Sequence, residues 1–266
     1  MIVKYLLSIE FLALIIKFVV FPVSVASLLV VAHIRGPKNY EPAVTDGSGL
    51  VKARVLIVDK LMDVRAKKMA FFQFMGPIIR AENYRIQILR RRIQSAQAGF
   101  GNPDWVVAVA AEYKVTWTGW EWVDLLKRVD ITPLFLVLAQ SANESDWGQS
   151  RFAQQGNNMF GQWCFTKGCG MVPKYRDANA SHEVATYDTV NASVRAYMKN
   201  LNTSAAYDAL RDMRWLARLR GVHPQAMPVS AGLAPYSERG KAYVSDIQSM
   251  IRKNRDLMIE STAGDS

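Results

Sequence analysis

Glu144 is the first residue in this sequence that suggests chemistry. It closes the run Thr132-Pro133-Leu-Phe-Leu-Val-Leu138, Ala139-Gln-Ser-Ala-Asn-Glu144. A threonine able to cap, a proline at the first helical position and apolar residues on every side predict a buried helix. An acidic side chain about three turns into such a helix is costly unless it has a task or a partner. Desolvation and the negative end of the helix dipole both favour a protonated carboxyl there. That is the state a general acid needs near neutral pH. The plainer reading is a structural acid paired with an arginine such as Arg151.

Just downstream, Gly148, Gly156 and Gly161 punctuate the chain, and Asn157, Asn158 and Gln162 supply side-chain amides around Phe160 and Trp163. Aromatic faces beside amides suit a sugar chain: the apolar face of a pyranose packs on a ring while its acetamido and hydroxyl groups take hydrogen bonds. Cys164 and Cys169 frame Phe-Thr-Lys-Gly and read as a small-loop disulfide of an oxidising compartment. A metal site completed by His182 is the weaker alternative, with too few ligands and no second CxxC. No metal and no cofactor is expected.

These residues need elements to position them. Helical patterns are expected from Val51 to about Ala98 with an interruption at Pro77, then over Trp105–Tyr113, Trp117–Val129, from Ile131 to Glu144, and over Val190–Leu201, Ser204–Ala217 and Arg239 to about Met258. Between the fourth and fifth of these, Met171-Val-Pro-Lys-Tyr-Arg176 and His182-Glu-Val-Ala-Thr-Tyr-Asp188 read as two strands around a polar turn. Alternation puts Glu183, Ala185 and Tyr187 on one face of the second strand. The fold class is mainly α (α+β), a helical domain with a small inserted β-hairpin lobe, preceded by an apolar helix. Along the chain, 1–34 reads as a signal-anchor or transmembrane segment, 35–50 as a linker, 51–130 as a basic helical region and 131–258 as the catalytic region.

The 266 residues are 50% apolar and 21% charged, enough for a sizeable core. Of the net charge of +10, eight come from residues 35–98, which hold 13 basic and 5 acidic residues. Such a segment suits a polyanion, whether acidic lipid or a carboxylate-bearing wall polymer. No nucleic acid is expected, because no finger spacing, RNP-like motif or phosphate-cradling loop accompanies the charge. Residues 5–34 are apolar enough to enter a bilayer, and a cleaved signal after Ser24-Val-Ala26 or Val30-Val-Ala32 is the alternative.

Ala139-Gln-Ser-Ala-Asn-Glu-Ser-Asp-Trp-Gly-Gln-Ser-Arg-Phe152 with Gly156-Asn-Asn-Met-Phe-Gly-Gln-Trp-Cys164 resembles the signature of the Bax-like branch of the bacterial N-acetylglucosaminidases. These are peptidoglycan hydrolases that include flagellar and autolysin enzymes. Lys68-Met-Ala-Phe-Phe72, Arg128-Val-Asp-Ile131, Gly168-Cys-Gly-Met-Val-Pro173, His182-Glu-Val184, Asn200-Leu-Asn-Thr203 and Tyr236-Ser-Glu-Arg-Gly240 extend the likeness over residues 51–254. The resemblance implies a lysozyme-like fold, Glu144 as the acid that protonates the bond after N-acetylglucosamine, and a second carboxylate on the hairpin lobe. Glu183 is the candidate for that carboxylate and Asp188 the reserve. Asn157, Asn158, Phe160, Gln162, Trp163, Tyr187 and Tyr236 are the expected substrate contacts. The expected partner is a peptidoglycan glycan strand, met in the cell envelope by a chain anchored in the inner membrane and facing the periplasm, or secreted if cleaved. A lytic transglycosylase-like muramidase and a non-catalytic wall-binding protein are the competing functions.

Overall fold

The computed structural model describes residues 63–99, 104–174, 176 and 180–263, with the backbone of 44–46 and 50–52. The apolar 1–34 segment and most of the 35–50 linker lie outside the described residues. Strand β1 (Val44–Asp46) pairs antiparallel with β2 (Leu50–Lys52). Among the described residues no helix is long and apolar enough to cross a membrane.

Helix α1 (Val64–Gln97) starts where the Asp63 side chain accepts a hydrogen bond from the Ala66 amide, 2.9 Å away. The expected break at Pro77 does not occur. The proline sits inside one continuous helix, and the carbonyl it leaves without an amide donor belongs to the exposed Gln73. The opposite face of α1 buries Phe71, Phe72, Met75, Ile79, Ile86 and Ile93. They join one core with Leu136 and Leu138 of α4 (Leu134–Glu144) and Ile247 and Ile251 of α9 (Lys241–Thr262). The other helices are α2 (Asp104–Glu112), α3 (Trp122–Arg128), α5 (Arg151–Gly156), α6 (Val190–Thr203), α7 (Asp208–Leu219) and α8 (Ala226–Ser230). Among the described residues two 3₁₀ turns, Ala205–Tyr207 and Ala231–Tyr236, complete them. The short α5 and α8 carry too few periodic positions to be read from sequence.

The start of α4 is held by buried polar groups. Thr132 does not cap it. Instead the Thr132 amide donates to Asn83 Oδ1 (3.1 Å) and the Asn83 amide donates to the Thr132 carbonyl (2.8 Å), tying α4 to α1. One step earlier, Asp130 is buried among arginines: Arg218 donates to it at 2.8 and 3.1 Å, and Arg90 lies 3.8 Å away. Burial pushes the Asp130 carboxyl up, but the Arg218 hydrogen bonds and the charges of Arg214 and Arg90 bring it below the ordinary value. Arg214 is fully buried on α7 and donates to the backbone carbonyls of Lys127, Asp130 and Ile131 and to the Asn202 side chain. Its burial lowers its pKa to about 10.

Among the described residues the β-lobe has three strands, β3 (Trp163–Cys164), β4 (Gly170–Met171) and β5 (Glu183–Ala185), in the order β3-β5-β4. The two-strand hairpin expected from sequence therefore gains Trp163–Cys164 on its other edge, a strand too short to show an alternating pattern. Trp163 lies opposite Val184, and Gly170 opposite Ala185. A Cβ at Gly170 would stand 2.0 Å from the Val184 carbonyl oxygen, so only glycine fits. The Cys164–Cys169 disulfide closes the loop between β3 and β4.

Candidate active site

Glu144 is the last residue of α4, and the sequence of the following turn explains why the helix stops. Asp146, Trp147 and Gly148 all have positive φ, at 50°, 55° and 78°. Two consecutive non-glycine residues in that region are strained by roughly 1–2 kcal/mol each and need support. The Trp147 amide donates to the Ala142 carbonyl at 2.9 Å, and its ring packs edge-on against Phe71 and Phe72 with centroids 5.7 and 5.4 Å away. Ser145 Oγ donates to the Ser141 carbonyl (2.6 Å) and accepts from the Gly148 amide (2.8 Å).

This turn leaves Glu144 half-buried rather than covered all round as its helix suggested. Nor is it paired with Arg151, which donates to the Val172 carbonyl at 3.0 Å. Its partners are neutral: Tyr243 donates to Oε1 at 2.7 Å and the Asn143 amide donates to the same atom at 3.0 Å. Among the described residues no donor reaches Oε2.

Behind Glu144 runs a chain of donors that all point one way. The Tyr197 hydroxyl donates to Gln140 Oε1, Gln140 Nε2 donates to the Tyr243 oxygen at 2.9 Å, and Tyr243 donates to Glu144. Gln140 lies one helical turn before Glu144 on the same face of α4. Tyr236 stacks on Tyr243 with centroids 5.4 Å apart and planes 8° apart, and donates to the Phe160 carbonyl at 2.9 Å. Burial raises the phenols of Tyr197, Tyr207, Tyr236 and Tyr243, and the Glu144 charge raises each further. They remain donors at any physiological pH.

Glu144 opens into a cleft of about 390 Å³ lined also by Phe160, Gly161, Gln162, Trp163, Asn200, Tyr207 and Tyr236. Trp163 is 59% exposed and stacked on His182, centroids 4.0 Å and planes 14° apart. An exposed indole with one face fixed has the other available for an apolar ring face. Asn200 is exposed at the cleft, and among the described residues its side-chain amide makes no hydrogen bond.

Of the residues expected from sequence, the structure brings Phe160, Gln162, Trp163 and Tyr236 to Glu144. Asn157, Asn158, Tyr187 and Glu183 are not among the cleft-lining residues. Asn157 ends α5 in the left-handed conformation and donates to the Tyr187 carbonyl at 2.8 Å. Asn158 is buried, and its amide joins the carbonyls of Gln162 and Ala185 to the amides of Phe160 and Gln162. These two side chains hold the cleft wall from behind, because a tight loop between helix and sheet leaves backbone groups that need partners. Tyr187 follows β5, and its amide donates to the Gly156 carbonyl at 2.9 Å.

Glu183 is 6% exposed, and its two oxygens accept from the Gly168 and Gly170 amides at 3.0 and 2.9 Å. Those backbone bonds hold its carboxyl below the ordinary range. It thereby clamps the disulfide loop onto β5. The two cysteines lie beside it but are joined to each other, so they offer no thiolate to a metal. The residues missed by sequence reasoning are Gln140, Asn200, Tyr207 and Tyr243.

The description of the sequence-family model that matches residues 120–256 is mannosyl-glycoprotein endo-beta-N-acetylglucosaminidase, the glucosaminidase family. Protein bax of Escherichia coli (strain K12) is 34% identical over 206 residues, which cover 72% of this chain and 71% of that protein. The chain belongs to the glucosaminidase family. No solved structure matches it. Within this family of glycosidase-type enzymes, Glu144 and its cleft fall inside the matched residues, as do the β-lobe and the tyrosines. The mainly α architecture with a small β lobe agrees with the fold class expected from the sequence.

Proposed function

We propose that this glucosaminidase cleaves peptidoglycan as an endo-β-N-acetylglucosaminidase, breaking the β-1,4 bond after N-acetylglucosamine with Glu144 as general acid. The observation that carries this reading is Glu144 as the one carboxylate among the described residues that line an aromatic and amide-lined cleft. With Oε1 held by two donors, Oε2 faces the glycosidic oxygen and delivers the proton as the C1–O bond breaks. Trp163 carries a sugar face, Asn200 lies where an acetamido or hydroxyl group needs partners, and Gln162, whose amide nitrogen donates to the Ser193 carbonyl at 3.1 Å, offers its side-chain oxygen.

Because Glu183 is bound to its own loop, the reading favours substrate assistance over a two-carboxylate mechanism. The oxygen of the substrate's 2-acetamido group attacks C1 as the leaving oxygen takes the Glu144 proton, forming an oxazolinium ion. Glu144, now ionised, takes a proton from the water that opens that ring. Glu183 is then a lobe-organising residue. The enzyme acts in the cell envelope on glycan strands, held by residues 5–34 in the inner membrane and facing the periplasm, or secreted after cleavage. The disulfide supports an oxidising location.

Mass spectrometry of purified peptidoglycan digested by the wild-type chain and by Glu144→Gln tests this. Reducing N-acetylglucosamine ends that vanish in the variant are expected. Anhydromuramic ends would assign the chain to the lytic transglycosylases, and sacculus binding without cleavage by either form would leave a wall-binding protein.

A further inference from the structure

The C-terminal half of α7 carries an apolar stripe that the core does not cover. Met213, Leu216 and Leu219 recur every three residues, and Val222 follows in the turn after the helix. They are 38, 47, 67 and 53% exposed. The buried side of the same helix is given to Leu210, Arg211 and Arg214. The stripe forms a ridge between two grooves. One, about 170 Å³, is mostly apolar and includes Pro228 and Val229. The other, about 500 Å³, presents Gln87, Arg91, Gln94, Trp215 and His223. Among the described residues no carboxylate lines either groove. The Asp130 charge is taken by Arg90, Arg214 and Arg218, whereas Arg91 and Arg220 meet no carboxylate among the described residues.

We propose that this ridge docks on the surface of an anionic phospholipid bilayer. Leu216, Leu219 and Val222 enter the boundary between headgroups and acyl chains, and Arg91 and Arg220 meet lipid phosphates. An apolar stripe flanked by uncompensated arginines is the pattern of an interfacial helix. Charge selects this occupant over a second copy of the chain. Asp212, the exposed carboxylate one turn before Leu216 on α7, is paired with Lys127 at 2.8 Å, so a self-paired ridge would bring arginines together with no unpaired carboxylate between them among the described residues, whereas anionic lipid supplies the missing sign. None of these residues lines the Glu144 cleft, so the inference stands apart from the proposed chemistry.

The native cysteines are joined to each other, so a single introduced thiol can be labelled selectively. The full chain carrying Leu219→Cys with an environment-sensitive nitrobenzoxadiazole label is mixed with vesicles of phosphatidylethanolamine and phosphatidylglycerol, or of phosphatidylcholine alone. Gln149→Cys, labelled in the same way on the loop before α5, reports any uptake that depends only on the apolar N-terminus. The expected result is a blue shift and at least a doubling of emission at position 219 with the anionic vesicles, and neither change at position 149. In an R91Q/R220Q background the engagement constant falls roughly 30-fold, at about 1 kcal/mol per arginine near a charged surface. Equal changes at the two positions, indifference to phosphatidylglycerol, or no change at 219 would each overturn the proposal. So would a label at 219 already shielded without vesicles, since another part of the chain or a second copy would then cover the ridge.

Discussion

Replacing Tyr243 by phenylalanine removes one oxygen and leaves the stacked ring in place. That oxygen makes two contacts: it donates to Glu144 Oε1 at 2.7 Å and accepts from Gln140 Nε2 at 2.9 Å. A hydrogen bond to a charged group contributes about 1.5–3 kcal/mol. If Tyr243 orients Glu144 for proton transfer and stabilises the carboxylate left behind, its loss lowers kcat/KM by roughly 10- to 150-fold at 1.36 kcal/mol per decade. The second contact predicts a separate effect. Gln140 is fully buried, so its orphaned amide hydrogen destabilises the fold by about 1–3 kcal/mol. Both are measurable on one preparation: kcat/KM from reducing-end release on peptidoglycan fragments at a temperature where the variant is folded, and the unfolding midpoint in urea. A variant that loses stability but keeps kcat/KM within twofold would refute the orienting role and leave Tyr243 as a packing residue.

Other outcomes follow from the same geometry. The Asp130 carboxyl lies below its ordinary value in the folded chain, so it contributes stability above the unfolded value that is lost as pH falls through the folded one; acid unfolding should begin below about pH 4. Asp130→Asn removes that acid sensitivity at a cost of about 3–5 kcal/mol, because three arginines lose their buried counter-charge, and urea titrations at pH 3 and pH 7 measure both. Glu183→Gln keeps one acceptor for the two glycine amides and turns its NH₂ against the other; KM should rise while kcat stays within severalfold, against a loss of about 10²- to 10⁴-fold for Glu144→Gln. Equal kcat losses would make Glu183 a partner in the chemistry. Trp163→Ala removes a stacking face and should raise KM roughly 2- to 12-fold with kcat little changed. Asp146→Gly relieves a left-handed residue and should raise stability by about 0.5–1 kcal/mol, less whatever freedom glycine adds to the unfolded chain; a lower urea midpoint would mean that the Asp146 side chain supports the turn.

Much of the helical scaffold was legible because apolar spacing reports which face of a helix is covered, and the spacing of α4 led directly to Glu144. The resemblance carried by Ala139–Phe152 added the chemistry that spacing alone left balanced between an acid and an ion pair. What sequence could not give was the assignment of each polar side chain to substrate or to backbone. Asn157 and Asn158 look like sugar ligands next to Phe160 and Trp163, but a helix end and a sheet edge meet there and their carbonyls claim the amides. Glu183 reads as an available carboxylate until Gly168 and Gly170, 15 and 13 residues earlier, are seen to hold it. Tyr243 lies 99 residues from Glu144, a pairing that no local pattern encodes. Pro77 was read by its usual effect, which fails where the carbonyl it strands faces water.

The tyrosine–glutamine chain behind Glu144 is drawn from three separate helices: Gln140 on α4, Tyr197 on α6 and Tyr243 on α9. The direction of the Glu144 carboxyl is therefore a property of the assembled bundle and not of α4 alone. A chain emerging in order from its N-terminus has its glutamate long before it has α9, and until α9 docks the carboxyl has only its neighbour Asn143 to hold it. The last long helix thus completes the setting of Glu144 as well as the fold, and a truncated or half-assembled copy carries the glutamate without its Tyr243 donor.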